Sequence, residues 1–256
     1  EVNGNKVTFN LATLGNKTLK AIIDYEDTSA EIYKKIKVLA PKPPVLYTYE
    51  IINEFPHDIK AYTQGLEFHQ GILYESTGKK GRSSLRKVDF KTGKILNQIA
   101  LENTQFGEGI TIMNGKIYQL TWQNGIGFVY DLDTFEKTSS FQYGESKEGW
   151  GLCNDGTKIF KSDGTEKIWF LNPETLAEEG HIETATDKSV FNMANELEYL
   201  DGKIYANVYQ KPSMMIIDAE SGAIEGVINF SGLKEKVTKH PELDVLNGVA
   251  YNPERK

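Results

Sequence analysis

The sequence predicts an all-β protein: a five-bladed β-propeller whose last blade is incomplete, preceded by a small β module. Three recurring markers predict it. Gly71-Ile72-Leu73-Tyr74 returns as Gly115-Lys116-Ile117-Tyr118, Gly156-Thr157-Lys158-Ile159-Phe160 and Gly202-Lys203-Ile204-Tyr205, with the glycines 44, 41 and 46 residues apart. An apolar strand ending in Asp or Asn and entering a turn follows each, at Asp89, Asp131, Asn172 and Asp218. The third marker opens each unit: Gln64-Gly65-Leu66, Glu108-Gly109-Ile110, Trp150-Gly151-Leu152, Asn195-Glu196-Leu197 and Asn247-Gly248-Val249. Units of this length, holding about four short strands rich in β-branched and aromatic residues and broken by Gly and Asp turns, are propeller blades rather than helical repeats.

Taken in order, the chain begins with a β module at residues 1–44. Residues 5–11 alternate. Leu19, Ala21, Ile23 and Tyr25 share one face of a second strand, and Ile32, Ile36 and Val38 one face of a third. Three strands are too few for a sandwich, so the expectation is the tail end of an immunoglobulin-like domain. A helix over residues 29–37 competes with the third strand. Pro41-Lys42-Pro43-Pro44 then favours extended backbone and removes donors, marking a boundary before the propeller at 45–256.

Five opening strands imply five blades. The fifth starts at Val245 and has one strand of its own before Lys256, with Tyr47 to Phe55 placed to close it. The insertion at 231–243 reads as a short helix or loop on one face.

Composition narrows the function classes. Hydrophobic residues are 39% and charged residues 25%, as in ordinary globular chains. The net charge of −7 supplies no basic surface for a nucleic acid. The single cysteine, Cys153, permits no disulfide within the chain, and no apolar run is long enough to span a membrane. A start at Glu1 rather than Met reads as a processed or cut form, and the immunoglobulin-like piece makes export from the cytoplasm the expected localisation.

Innermost strands line the channel of a propeller, so equivalent positions form a ring. Here the ring is Gln64, Glu108, Trp150, Asn195 and Asn247. Packing alone would favour similar residues at symmetric positions. Two readings stay open: polar groups bonding neighbouring blades around a watery channel, or a binding site. Glu108, in Phe106-Gly107-Glu108-Gly109, is the one carboxylate at the ring position itself, with Glu196 adjacent on the fourth unit. A lone carboxylate suits proton transfer better than calcium, which wants several oxygens. The four histidines have no ligand spacing, and Cys153 has no evident His partner. His57-Asp58 reads as a turn and capping element, and Ser162-Asp163-Gly164-Thr165 as a strand-end turn with an outside reading as a calcium site.

From Tyr47 to Pro253 these motifs resemble the plant- and bacterial-type glutaminyl-peptide cyclotransferases. The segments that carry the resemblance include Tyr62-Thr63-Gln64-Gly65-Leu66, Glu75-Ser76-Thr77-Gly78, Phe106-Gly107-Glu108-Gly109-Ile110-Thr111, Gly149-Trp150-Gly151-Leu152, Asn195-Glu196-Leu197-Glu198-Tyr199, Ala206-Asn207-Val208-Tyr209-Gln210 and Val245-Leu246-Asn247-Gly248. The resemblance implies a five-bladed propeller that cyclises an N-terminal glutamine to pyroglutamate and releases ammonia. It puts the proton-shuttling glutamate on Glu108 and the substrate pocket on Gln64, Phe106, Trp122, Trp150 and Asn195. Asn247 joins these from the repeat. Tyr209 stands where the family has tryptophan, and Tyr62 where it has phenylalanine. The family's lysine, in a Thr-Gly-Lys motif on the last blade, has no counterpart here.

The implied partners are peptides or proteins with an N-terminal glutamine, acted on by a monomer without metal or cofactor. A non-catalytic propeller that binds peptide N-termini is the competing reading. A metal-dependent hydrolase, which chelator would silence, is a third.

Overall fold

The computed structural model describes residues 2–3, 6–9 and 11–255, and it is all-β, with no helix among them. Strands β1 (Val2–Asn3) and β2 (Lys6–Val7) form a short antiparallel pair. Positions 5 and 10 of the alternating stretch lie outside the described residues. Strands β3 (Gly15–Tyr25) and β4 (Thr28–Val38) form a long hairpin in unbroken register from Gly15↔Val38 to Tyr25↔Thr28. The alternative helix over 29–37 is therefore not formed: Ile32 and Tyr33 sit in strand β4.

No immunoglobulin-like sandwich is seen among the described residues. Ile22, Ile23, Ile32 and Tyr33 are exposed, and no second layer covers the hairpin among the described residues. Its base is anchored instead. Leu14 and Ala40 are buried against Ala185 and Ala223, the Leu14 amide donates to Ser221 O and the Ala40 amide to Thr186 O.

Four meanders follow. Blade one comprises β6 (Thr63–His69), β7 (Ile72–Thr77), β8 (Ser84–Asp89) and β9 (Lys94–Ala100). Blade two comprises β10 (Gly107–Met113), β11 (Lys116–Thr121), β12 (Ile126–Asp131) and β13 (Lys137–Gln142). Blade three comprises β14 (Leu152–Asn154), β15 (Ile159–Ser162), β16 (Lys167–Leu171) and β17 (Glu178–Glu183). Blade four comprises β18 (Ala194–Leu200), β19 (Lys203–Val208), β20 (Ser213–Asp218) and β21 (Ile224–Asn229). The expected turn residues do the joining: Asp89, Asp131, Asn172 and Asp218 each accept backbone amides two or three residues on.

The arrangement is a β-propeller with four blades, where five were expected. Strand β5 (Val45–Tyr47) pairs parallel to β21 and widens blade four, and residues 48–62 form no strand. The anchor at Ala40 delivers the chain beside blade four, so the free edge of β21 is the edge within reach. Residues 245–251 hold the position between blade four and blade one, but no strand pairs with them. The insertion at 231–243 is a run of turns without a helix.

Apolar clusters fill the seams between successive blades. Leu85, Ile110, Ile117 and Phe128 join blades one and two; Leu120, Leu152, Ile159 and Trp169 join two and three; Phe160, Ile168, Leu197 and Ile217 join three and four. At the channel the blades meet backbone to backbone. A Cβ on Gly65 would lie 2.6 Å from Ile110 N, and one on Gly109 2.6 Å from Leu152 N. The glycine of the opening marker is thus demanded by close approach. On blade four the same position is Glu196, whose side chain instead spans the wider gap to Leu66 N (3.1 Å) and Val249 N (2.8 Å).

Candidate active site

The ring residues sit where the innermost strands break register. The β6–β7 pairing shifts between Thr63 and Gly65, β10–β11 between Gly107 and Ile110, and β18–β19 between Ala194 and Leu197. Each bulge inserts one extra residue on the inner strand. It turns Gln64, Glu108 or Asn195 out of the alternation, as bulges beside functional sites commonly do. On blade three Trp150 lies two residues ahead of β14, its amide donating to Ser162 O (3.1 Å).

These side chains converge. Gln64, Glu108 and Asn195 are all buried. Gln64 Nε2 is 3.5 Å from Glu108 Oε1, and Asn247 Nδ2 donates to Gln64 Oε1 and to Thr63 O (3.2 Å). Asn195 fills the blade-four position, its carbonyl accepting from Ser162 Oγ at 2.7 Å.

Aromatic rings wall the same space. Tyr62 meets Phe106 edge-on at 6.2 Å, Phe106 meets Trp122 at 5.6 Å, and Trp150 meets Tyr209 at 5.1 Å between ring centres. Trp150 is seated on Gly164, where a Cβ would lie 2.5 Å from its ring. Gln64, Glu108 and Asn247 are thus in contact, Phe106 pairs with Trp122 and Trp150 with Tyr209, and Asn195 takes the equivalent position on blade four.

A residue absent from the ring completes the wall. Glu148 Oε2 accepts the indole N–H of Trp122 (2.7 Å) and that of Trp150 (2.9 Å), while its Oε1 accepts from Gln123 Nε2 (3.1 Å). Burial alone would raise its pKa, but these donors outweigh burial and hold it below the usual carboxylate range. Glu108 is pushed the other way, well above that range, first by burial and then by the negative charge of Glu148. The two carboxylates are thus pushed in opposite directions, the pattern by which sites divide acid and base roles. The available sequence signal was Glu148-Gly149-Trp150, a carboxylate two residues ahead of a ring tryptophan.

The remaining motifs are structural. His57 Nε2 bonds Glu75 Oε1 (2.9 Å), which Thr63 Oγ1 also reaches (2.8 Å), and Arg86 bridges Asp58 (3.0 Å) and Glu75 (3.6 Å). Asp163 is taken up by Trp169 Nε1 (2.8 Å) and the Thr165 amide (3.0 Å). Cys153 is buried, which raises its pKa. Among the described residues no group of three His, Cys, Asp or Glu is placed to hold a metal ion, and no helix is long and apolar enough to cross a membrane.

Comparison with known proteins places this architecture. The chain is 39% identical over 210 residues to a glutaminyl-peptide cyclotransferase of Arabidopsis thaliana, covering 80% of this chain and 65% of the relative's length. It superposes on the crystal structure of Myxococcus xanthus glutaminyl cyclase with a TM-score of 0.75 at 35% identity, covering 82% of this chain and 89% of that one. The family model for glutamine cyclotransferases matches residues 21–256, so the match begins inside β3 rather than near Tyr47. The chain belongs to the glutamine cyclotransferase family.

Proposed function

We propose that this chain cyclises the N-terminal glutamine of peptides to pyroglutamate and releases ammonia, with Glu108 carrying the proton. The observation that carries the reading is a buried carboxyl, pushed well above the ordinary carboxylate range and bonded to Gln64, on the propeller that pairs Phe106 with Trp122 and Trp150 with Tyr209. An incoming α-ammonium group brings positive charge to that carboxyl and favours its ionised form. The ammonium, with an ordinary pKa of about 8, first releases one proton to solvent, and as the resulting free amine attacks the side-chain amide carbon, Glu108 takes a proton from the attacking nitrogen. It then delivers that proton to the departing NH2, the C–N bond breaks, ammonia leaves, and Glu108 returns to carboxylate.

The attack is intramolecular, so the pocket contributes chiefly by folding the side chain into a ring-like pose against the aromatic wall. The wall also suits the cationic ground state. The amide groups of Gln64 and Asn195 are the donors for the oxygen on which negative charge develops. No step calls for a metal.

The test is ammonia release from a glutaminyl dipeptide, with EDTA present. Wild type is expected to turn over, with an acid limb of kcat/KM well above the ordinary glutamate range because Glu108 must ionise. Glu108→Gln is expected to keep the thermal unfolding profile and lose at least about 100-fold in rate. Activity within a few-fold of wild type in the variant would overturn the role of Glu108. Peptide binding without turnover in wild type would favour the binding propeller.

A further inference from the structure

We propose that Glu148 is a positioning residue of this site: one carboxylate oxygen clamps the indoles of Trp122 and Trp150 into a single wall and confronts Glu108 with a fixed negative charge. The proposal rests on the cyclotransferase reading for its kinetic consequence, but the clamp itself does not.

The geometry is specific. Trp122 follows β11 of blade two and Trp150 precedes β14 of blade three, so their walls belong to different sheets. Their rings make separate edge-on contacts, Trp122 with Phe106 and Trp150 with Tyr209. The shared acceptor is Glu148 Oε2, at 2.7 and 2.9 Å. Remove it and the two aromatic groups, Tyr62–Phe106–Trp122 and Trp150–Tyr209, lose that common anchor.

The loop that presents Glu148 is fastened from behind. Lys161 is fully buried; its Nζ donates to Glu148 O (2.8 Å) and to Ser146 Oγ, and it faces the Tyr143 ring at 4.2 Å. Glu178 accepts the amides of Glu145 (2.7 Å) and Ser146 (3.1 Å). The Gly149 amide donates to Trp122 O (3.0 Å). A carboxylate so held cannot swing away when substrate enters.

Its electrostatic consequence follows from the same placement: Trp122, bonded to Glu148 through its indole, donates its amide to Phe106 O (3.0 Å), two residues ahead of Glu108. The titratable groups facing Glu108 are Glu148, Tyr143 and, ahead of β6, Tyr62. Both tyrosines are pushed above their ordinary value, first by burial, and stay neutral in the working range. Lys161 and Glu178 lie behind the loop. Glu148 is therefore the charge that opposes ionisation of Glu108, and its neutralisation makes that ionisation easier.

The test pairs Glu148→Gln with two readouts. The first is the set of three indole N–H signals in a 15N-correlated NMR spectrum. Those of Trp122 and Trp150 are expected to shift upfield on loss of a charged acceptor, while that of Trp169, bonded to Asp163, stays. The second is the pH profile of ammonia release: the acid limb of kcat/KM is expected about one unit lower, with kcat/KM at the optimum reduced about tenfold. Glu148→Asp keeps the charge on a shorter arm, and should leave the limb in place while still disturbing the indoles.

Unmoved indole signals, or an acid limb unmoved in Glu148→Gln, would overturn the proposal. If wild type itself released no ammonia, the cyclotransferase reading would fall and the indole signals alone would decide the clamp. If Glu148→Gln did not fold, Glu148→Asp with disturbed indoles and an unmoved limb would support it, and with undisturbed indoles would refute it.

Discussion

Three seams between blades hold buried apolar clusters, joined by single polar contacts such as Glu67 Oε2 to Ile112 N (2.9 Å), and the fourth, between blade four and blade one, is bridged by carboxylates and amides. Across the closed seams Phe160, Leu197, Ile110, Leu120 and their neighbours interdigitate with almost no exposure. Across the fourth, Glu196 reaches Leu66 N and Val249 N, Asn207 Oδ1 accepts the Gly248 amide (2.9 Å), Tyr62 donates to Asp244 (2.8 Å), and Arg82 pairs with Glu242 (3.2 Å). The difference bears on where the proposed reaction centre is mounted. Glu108, Trp122, Glu148 and Trp150 stand on or between blades two and three, whose seams hold the buried apolar clusters. Gln64 and Asn247 flank the polar seam.

The contrast can be broken most severely at its apolar side. Phe160 is fully buried, stacked on Tyr199 at 5.8 Å and edge-on to Phe170 at 5.6 Å. Phe160→Ala should cost about 3–5 kcal/mol, read from the urea midpoint. A loss no larger than that of a surface substitution would dissolve the distinction between the seams.

At the polar seam, Glu196→Gln turns an acceptor of two amides into a group with one oxygen to offer. Its expected cost is about 1–3 kcal/mol, with ammonia release from a glutaminyl dipeptide kept within a few-fold. Equal losses of stability and of turnover would mean that the polar seam carries the reaction centre.

The polar seam should also make stability depend on pH. Burial raises Glu198 to about 9, against an ordinary 4.5, although its bond to the Tyr251 backbone pulls the other way. The folded state then holds a proton that the unfolded state has released. The associated stability is complete below the ordinary value and is lost as pH climbs toward the folded one. Urea midpoints should therefore fall from about pH 5 to about pH 9, and less steeply in Glu198→Gln. An identical slope in the variant would remove Glu198 from the explanation. The smallest effect is expected at Arg82→Ala, where loss of an exposed pair should cost under about 1 kcal/mol.

How much of this was legible follows from where the information sits. The three markers fall on strands and turns, so the four blades and the ring at Gln64, Glu108, Trp150, Asn195 and Asn247 could be read from spacing. Convergence at Glu108 needed a register break that spacing does not display: the extra residue in β10 that re-aims its side chain. Glu148 lies on a loop between markers, and its two tryptophan partners are close only after blades two and three are packed. The fifth blade misled for a related reason. Asn247-Gly248-Val249 carries an inner-strand marker, but a blade needs partner strands, and the candidate near Tyr47 found the edge of β21 instead. In the hairpin, alternation at Ile23, Tyr25, Ile32 and Ile36 marked strands correctly, yet alternation says nothing about whether a second layer exists to bury them.

The most direct test of a reaction centre mounted on rigid seams beside a softer one is backbone amide exchange in the native protein. Amides of blades two and three that bond backbone carbonyls, Gly109 and Ser162, should exchange near the rate set by global unfolding. Leu66, Gly248 and Val249, held by side chains of Glu196 and Asn207, should exchange earlier through local opening. If Gly109 and Ser162 opened first, or together with Gly248 and Val249, the reaction centre would not stand on the rigid side.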